Sequence, residues 1–327
     1  MQNRQNALHK WLEKTLAPAP FSISPLAGDA SFRRYFRLHL NGTTRVIMDA
    51  PPDKEAMEPF LTVNEILSSL EVHCPKVHAL DKALGFAILE DFGDELLLKH
   101  LSPKTANKLY GAAMNIIMRM QYCPPASTAK LPPFDKQFML QELNTFKEWF
   151  LHTYLKIQLN AEEETLLTDT FAWLTDKISQ QPQVLIHRDY HSRNIMLLNE
   201  TDEIQLGIID FQDAMIGPFT YDLVSLLKDC YIQWPREQVM EWLSTFHKQS
   251  SLAKEWLLDN FIYAFDLCGL QRHLKVLGVF SRLHLRDNKP NYLKDLPLTL
   301  HYVMACLESY KELEPFYQFM QKRIRLP

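Results

Sequence analysis

Val184-Leu185-Ile186-His187-Arg188-Asp189-Tyr190-His191-Ser192-Arg193-Asn194, and past a hairpin Ile208-Ile209-Asp210-Phe211-Gln212-Asp213, is the stretch that decides the fold. Val184–Ile186 reads as a strand end delivering a polar loop, and the chain turns apolar again at Ile195. Ile195–Asn199 and Gln205–Ile209 read as short strands joined by the polar turn Glu200-Thr201-Asp202-Glu203, which returns Asp210 toward Asn194. Phosphoryl transfer needs such a set: a carboxylate to orient an acceptor hydroxyl and take its proton, and hard oxygen ligands for magnesium on the phosphates. Asp189 fits the first role, Asn194 and Asp210 the second. His187 and His191 stand four apart, a zinc spacing on a helix, but here they occupy a loop beside a carboxylate. His187 is expected to hold the catalytic loop through buried hydrogen bonds, and His191 to stabilise the loop or line the acceptor pocket.

With 327 residues, 46% of them hydrophobic, the chain can bury a sizeable core in one large or two ordinary domains. A net charge of −4 and the lack of a basic run with interleaved aromatics argue against nucleic acid as a partner. The five cysteines are scattered without a Cys-x-x-Cys pair, so reduced, mostly buried thiols are expected. No apolar run suits a signal peptide or a membrane span, and a soluble cytoplasmic protein without membrane partners is the expectation, with a monomer as the oligomeric state.

Residues 1–17 read as a helix ended by Ala17-Pro18-Ala19-Pro20, and residues 21–26 as a first strand. Ser31–Leu40 and Thr44–Met48 flank Asn41-Gly42, a strong hairpin signal. A helix follows over 55–70, with Phe60, Val63, Leu67 and Leu70 at helical spacing, then strands at 76–80 and 85–90. Beyond Leu96 the reading is helical (104–122, 135–155, 161–179, 219–233, 235–247 and further segments to 325) apart from the hairpin.

His-x-Asp-x-His-x-x-Asn followed by Asp-Phe-Gln-Asp resembles the aminoglycoside phosphotransferase and choline kinase superfamily; Gln212 stands where protein kinases carry glycine. Gly28–Arg37, Met48-Asp49-Ala50-Pro51-Pro52, Asp210–Asp222, Asp229-Cys230-Tyr231 and Gly269–Gly278 are similar to the bacterial anomeric kinases of cell-wall amino sugars. The resemblance implies an α+β, protein-kinase-like two-lobed fold: an antiparallel-sheet nucleotide-binding lobe (1–90), a hinge (91–95) and a mostly helical lobe (96–327) with the catalytic loop, metal site and acceptor pocket. It implies ATP and Mg²⁺ as cofactors, and transfer to the anomeric hydroxyl of N-acetylmuramate and N-acetylglucosamine in peptidoglycan recycling. Backbone groups of Glu90, Asp91 and Phe92 would face the adenine against a wall of Ile88 and Leu89. Asp222 would support the catalytic loop.

Gly28-Asp29-Ala30-Ser31 stands where kinases cover the phosphates with glycines, and its amides and the Ser31 hydroxyl can cradle phosphate oxygens. The lysine kinases place on the third strand is replaced by Met48, and its partner glutamate is absent from the following helix. Arg34 shares a strand face with Phe36 and Leu38, so it is the expected substitute cation at the nucleotide if those two point into the lobe. For the acceptor, Arg272, Arg282, Arg286 and Arg33 are candidates for a lactyl carboxylate, with Gln271, Gln212, Asp213 and Tyr221 for hydroxyl and acetamido groups. An aminoglycoside, choline or homoserine kinase is the alternative, and a non-catalytic scaffold another. The first two need acidic clusters for cationic substrates, against which Arg272, Lys275, Arg282 and Arg286 weigh.

Overall fold

The computed structural model describes residues 2–26, 32–199 and 203–326. The Gly28–Ser31 segment expected at the phosphates and the Glu200–Asp202 turn lie outside the described residues. Five strands, β1 (Phe21–Pro25), β2 (Arg34–Leu40), β3 (Thr43–Asp49), β4 (Val77–Asp81) and β5 (Phe86–Glu90), form an antiparallel sheet in the order β1-β2-β3-β5-β4. Asn41 and Gly42 both take the left-handed conformation (φ 49° and 74°) that a tight hairpin between β2 and β3 demands.

Alternation along these strands sends Phe36, Leu38, Ile47, Phe86 and Ile88 to one face, where Leu8, Trp11 and Leu12 of α1 (Gln2–Leu16) close the core. A buried leucine contributes about 1.5–3 kcal/mol, so these three side chains dominate the docking of α1. The adenine wall expected from Ile88 and Leu89 is therefore divided: Ile88 packs under α1, and Leu89 faces the other way. The helix α2 (Glu58–Ser69) starts three residues later than the sequence implied, at Glu58-Pro59, and buries Phe60, Val63, Ile66 and Leu67.

Four short strands come later: β6 (Gln183–Ile186), β7 (Ile195–Asn199), β8 (Gln205–Ile208) and β9 (Met215–Pro218). β6 pairs with β9 and β7 with β8, both antiparallel. The β7–β8 hairpin is tied to the sheet unit: the Leu197 amide donates to the Glu95 carbonyl at 2.7 Å and the Ile208 amide to that of His73 at 2.8 Å. The compact units are accordingly Met1–Leu96 with Ile195–Asp213, and Leu97–Asn194 with Ala214–Pro327. The expected division left this hairpin in the helical lobe; its hydrogen bonds put it with the sheet.

The helical unit is organised on one 28-residue helix, Leu258–Leu285. At Gly278 it comes so close to the neighbouring backbone that an added Cβ would lie 2.5 Å from the Thr145 carbonyl carbon. Two expected helices differ. Residues 136–154 form an α-helix, Lys136–Thr145, that widens into a π-helix, Phe146–Tyr154. The helix expected over 219–233 is only Tyr221–Leu227, because Asp229 leaves it to bond a loop. No cysteine is in a disulfide, and among the described residues no helix is long and apolar enough to cross a membrane.

Candidate active site

β6 delivers the loop expected to be catalytic, and two aspartates grip it from outside. Asp222, in the first turn of the Tyr221–Leu227 helix, accepts the backbone amides of His187 at 2.7 Å and Arg188 at 3.0 Å. Burial pushes its carboxyl up to about 6, against the pull of His187 and these two amides. Asp229 accepts the Ser192 amide at 2.9 Å and the Ser192 hydroxyl, while its other oxygen takes the Tyr231 amide at 3.0 Å. Inside the loop the Asp189 carbonyl accepts the His191 amide and the Asn194 side-chain Nδ2, both at 3.0 Å. Asn194 thus has its amide orientation fixed, with Oδ1 as the acceptor atom. Arg188 is held at φ 75°, a left-handed strain of about 1–3 kcal/mol that the two grips must sustain.

His187 is buried, its ring edge-on to that of Tyr190 at 5.7 Å, so it braces the loop from behind. His191 is half-buried and meets the Tyr231 ring edge-on at 5.2 Å. Around Asp189 the charge is positive. Burial pushes its carboxyl up, but Lys275, His191, Arg272 and Arg188 outweigh that and hold it well below the usual carboxylate range. Lys275 Nζ stands 4.0 Å from Asp189 and 3.7 Å from Glu142, which also accepts from Arg188 at 3.1 Å and Gln271 at 2.9 Å. Gln271, Arg272 and Tyr221 are buried here; Gln271 Oε1, Arg272 Nε and the Tyr221 hydroxyl have no hydrogen-bond partner among the described residues. Arg286 is engaged by Asp287 at 2.8 Å.

In the sheet unit Asp210 sits just after β8 at φ 64°. Its neighbour Phe211 stacks on Phe60 of α2, with ring centroids 5.0 Å apart. Gln212 turns back and donates to Asp210 Oδ1 at 2.9 Å, while Asp213 is exposed. Arg37 fastens the segment after β5, donating to Asp91 and Asp94 at 2.8 Å each. Glu90 is occupied by the Lys76 amide at 3.2 Å, Leu89 is buried, and Phe92 lies against β8, where a Cβ added to Gly207 would meet its ring at 2.6 Å.

Arg34 departs from its expected direction. It pairs in register with Asp49, and both belong to the face covered by α1: Arg34 Nε donates to Asp49 at 3.0 Å, and Arg4 of α1 reaches the same fully buried carboxylate at 2.7 Å. Phe36 and Leu38 do point into a core, but it is the core under α1, and Arg34 goes with them. Met48, next along β3, is fully buried on the opposite face.

Asp229, Lys275, Glu142, Arg37 and Asp49 had no assigned role in the sequence. The segment Asp229-Cys230-Tyr231, which carries part of the family resemblance, was a signal for Asp229; the roles of the others depend on tertiary placement.

A loop built to hold one carboxylate ionised is what a phosphotransferase requires. Residues 22–257 match the model of the phosphotransferase enzyme family, APH, and the chain belongs to that family. It is 37% identical over 295 residues to the N-acetylmuramate/N-acetylglucosamine kinase of Pseudomonas putida, covering 89% of this chain and 85% of that protein. It is 36% identical over 325 residues to the protein of the same name from Neisseria meningitidis serogroup B, covering 97% and 95%. In fold it is similar to aminoglycoside 2'-phosphotransferase-IIIa, solved as a GDP complex, with a TM-score of 0.64 at 16% identity over 92% of this chain and 98% of that one.

Proposed function

We propose that this enzyme transfers the γ-phosphoryl group of ATP to the anomeric hydroxyl of N-acetylmuramate and N-acetylglucosamine, giving sugar 1-phosphates in peptidoglycan recycling in the cytoplasm. The observation that carries the reading is Asp189, ionised by surrounding cations on a loop gripped at both ends. The acceptor hydroxyl donates its hydrogen bond to the Asp189 carboxylate, which takes the proton as the oxygen–phosphorus bond forms and the bond to ADP breaks. Positioning dominates such a reaction, so the rigidity of the loop matters as much as the base.

Asn194 and Asp210 offer oxygen donors of the kind magnesium prefers, and neither brings the sulfur or imidazole that would favour zinc. Bound magnesium would neutralise charge on the phosphates. The base would lie along Met48, Leu89, Glu90 and Phe92, with residues 91–95 as the hinge strapped down by Arg37. On the acceptor side, Arg272 and Lys275 supply positive charge for a lactyl carboxylate, and His191, Gln271, Tyr221, Gln212 and Asp213 supply polar groups for the sugar. The same two cations disfavour a cationic aminoglycoside or choline. A monomer suffices for this chemistry.

The test is turnover of magnesium-ATP with N-acetylmuramate, N-acetylglucosamine, kanamycin and choline, with phosphorus NMR of the product and Asp189→Asn as control. Phosphate on the anomeric carbon of the amino sugars is expected. Turnover of kanamycin or choline alone would refute the reading.

A further inference from the structure

At the entry of β2 a buried arginine pairs with a half-buried glutamate. Arg33, directly before β2, is 7% exposed, and its Nη2 lies 3.4 Å from Glu55, which precedes α2. Strand alternation puts Arg33 on the side of Tyr35, opposite to Arg34, and Tyr35 pairs in register with Met48. Arg33 therefore shares a face with the position from which a lysine is missing. Tyr35 reports what else is close: burial pushes its hydroxyl up to about 12, Arg33 acts on it through a hydrogen bond and its charge, and the carboxylates of Asp210 and Glu55 both act on it. Arg33 and Glu55 are thus paired on the face of Tyr35 and Met48, while Arg34 is bound to Asp49 beneath α1.

Resting on the kinase reading, we propose that Arg33, oriented by Glu55, is the cation that meets the nucleotide's phosphate oxygens in place of the absent β3 lysine. The ion pair has moved from β3 and the body of α2 to the entry of β2 and the residues ahead of α2. A guanidinium suits the new position, because its planar fork can bind a carboxylate along one edge and phosphate oxygens along another. Glu55, 3.4 Å from Nη2, holds this buried arginine in place.

The full-length chain is tested by titrating ATP and adenosine separately into wild type, Arg33→Ala, Arg33→Lys and Arg34→Ala, first without magnesium, and then by turnover. Arg33→Ala is expected to weaken ATP about 10- to 100-fold, the worth of a charge-assisted hydrogen bond, with adenosine binding kept and kcat lowered. Arg33→Lys should restore part of the loss, and Arg34→Ala should lower the melting temperature with the ATP-to-adenosine ratio unchanged. Should Arg33→Ala fail to fold, Arg33→Gln, which can still hydrogen-bond Tyr35, is read the same way. An unchanged ATP-to-adenosine ratio on loss of Arg33, or an ATP-selective loss on removing Arg34, overturns the proposal. If wild type binds ATP but phosphorylates no amino sugar, the substrate reading fails while the role of Arg33 is still decided by the binding ratio.

Discussion

Asp189 draws its cationic surroundings from two places, Arg188 and His191 beside it in the loop and Arg272 and Lys275 on the long helix. Replacing it with asparagine would remove the proposed base but keep the shape, and kcat should fall about 10²–10⁴-fold; because the surrounding cations lose their carboxylate, the melting temperature should fall as well, and steady-state kinetics and a thermal melt check both halves. Asp222→Asn leaves one loop amide facing an NH2 donor and the other with an uncharged acceptor, a loss of about 1.5–3 kcal/mol. We expect kcat to drop while ATP affinity holds, readable by comparing turnover with nucleotide titration. His273 offers a pH test away from the chemistry. Burial, with Arg272 beside it, pushes its pKa down to about 3 from 6.5, against a 2.9 Å hydrogen bond to the Lys228 carbonyl, and its ring stacks on Tyr302. A depressed histidine stabilises the fold fully above about pH 6.5, and that stability is lost as pH falls toward 3. Urea unfolding at pH 7.5 and 5 should show wild type losing more stability than His273→Gln, whose amide can keep the bond to Lys228.

Among elements, the β2–β3 hairpin and the β7–β8 hairpin were legible because turn residues and alternation act locally. What could not be read was which layer covers which face. Arg34 was correctly grouped with Phe36 and Leu38, yet only the docking of α1 decides that this face is remote from Met48. The Tyr221–Leu227 helix was overextended for a similar reason: residues 228–233 have helical composition, but bonding Ser192 through Asp229 competes with another turn of helix. Close approaches between elements are invisible to pattern as well. Gly278→Ala drives a Cβ against the backbone at Thr145 and should destabilise the helical unit by about 1–3 kcal/mol, measurable by denaturant unfolding. Gly207→Ala pushes on the Phe92 ring instead and should raise the KM for ATP before it lowers stability.

Across the whole molecule, the candidate site was read from residue types and spacing, whereas the partition into units depends on contacts distant in sequence. Asp189, Asn194 and Asp210 stood out because their types and spacing are dictated by phosphoryl transfer, but the chain's division into Met1–Leu96 with Ile195–Asp213 and the remainder cuts between Asn194 and Ile195. Hydrogen bonds to His73 and Glu95, far off in sequence, make that cut. The helix that carries Asp222, and just beyond its end Asp229, has a further consequence. One aspartate seats the start of the loop and the other its end, seven positions later, so the segment between them works as a ruler. Deleting one residue within it would swing one carboxylate by about 100° around the axis and unseat that end of the loop. Divergent copies of this gene should accept many side-chain changes over 223–228 and no insertions or deletions there.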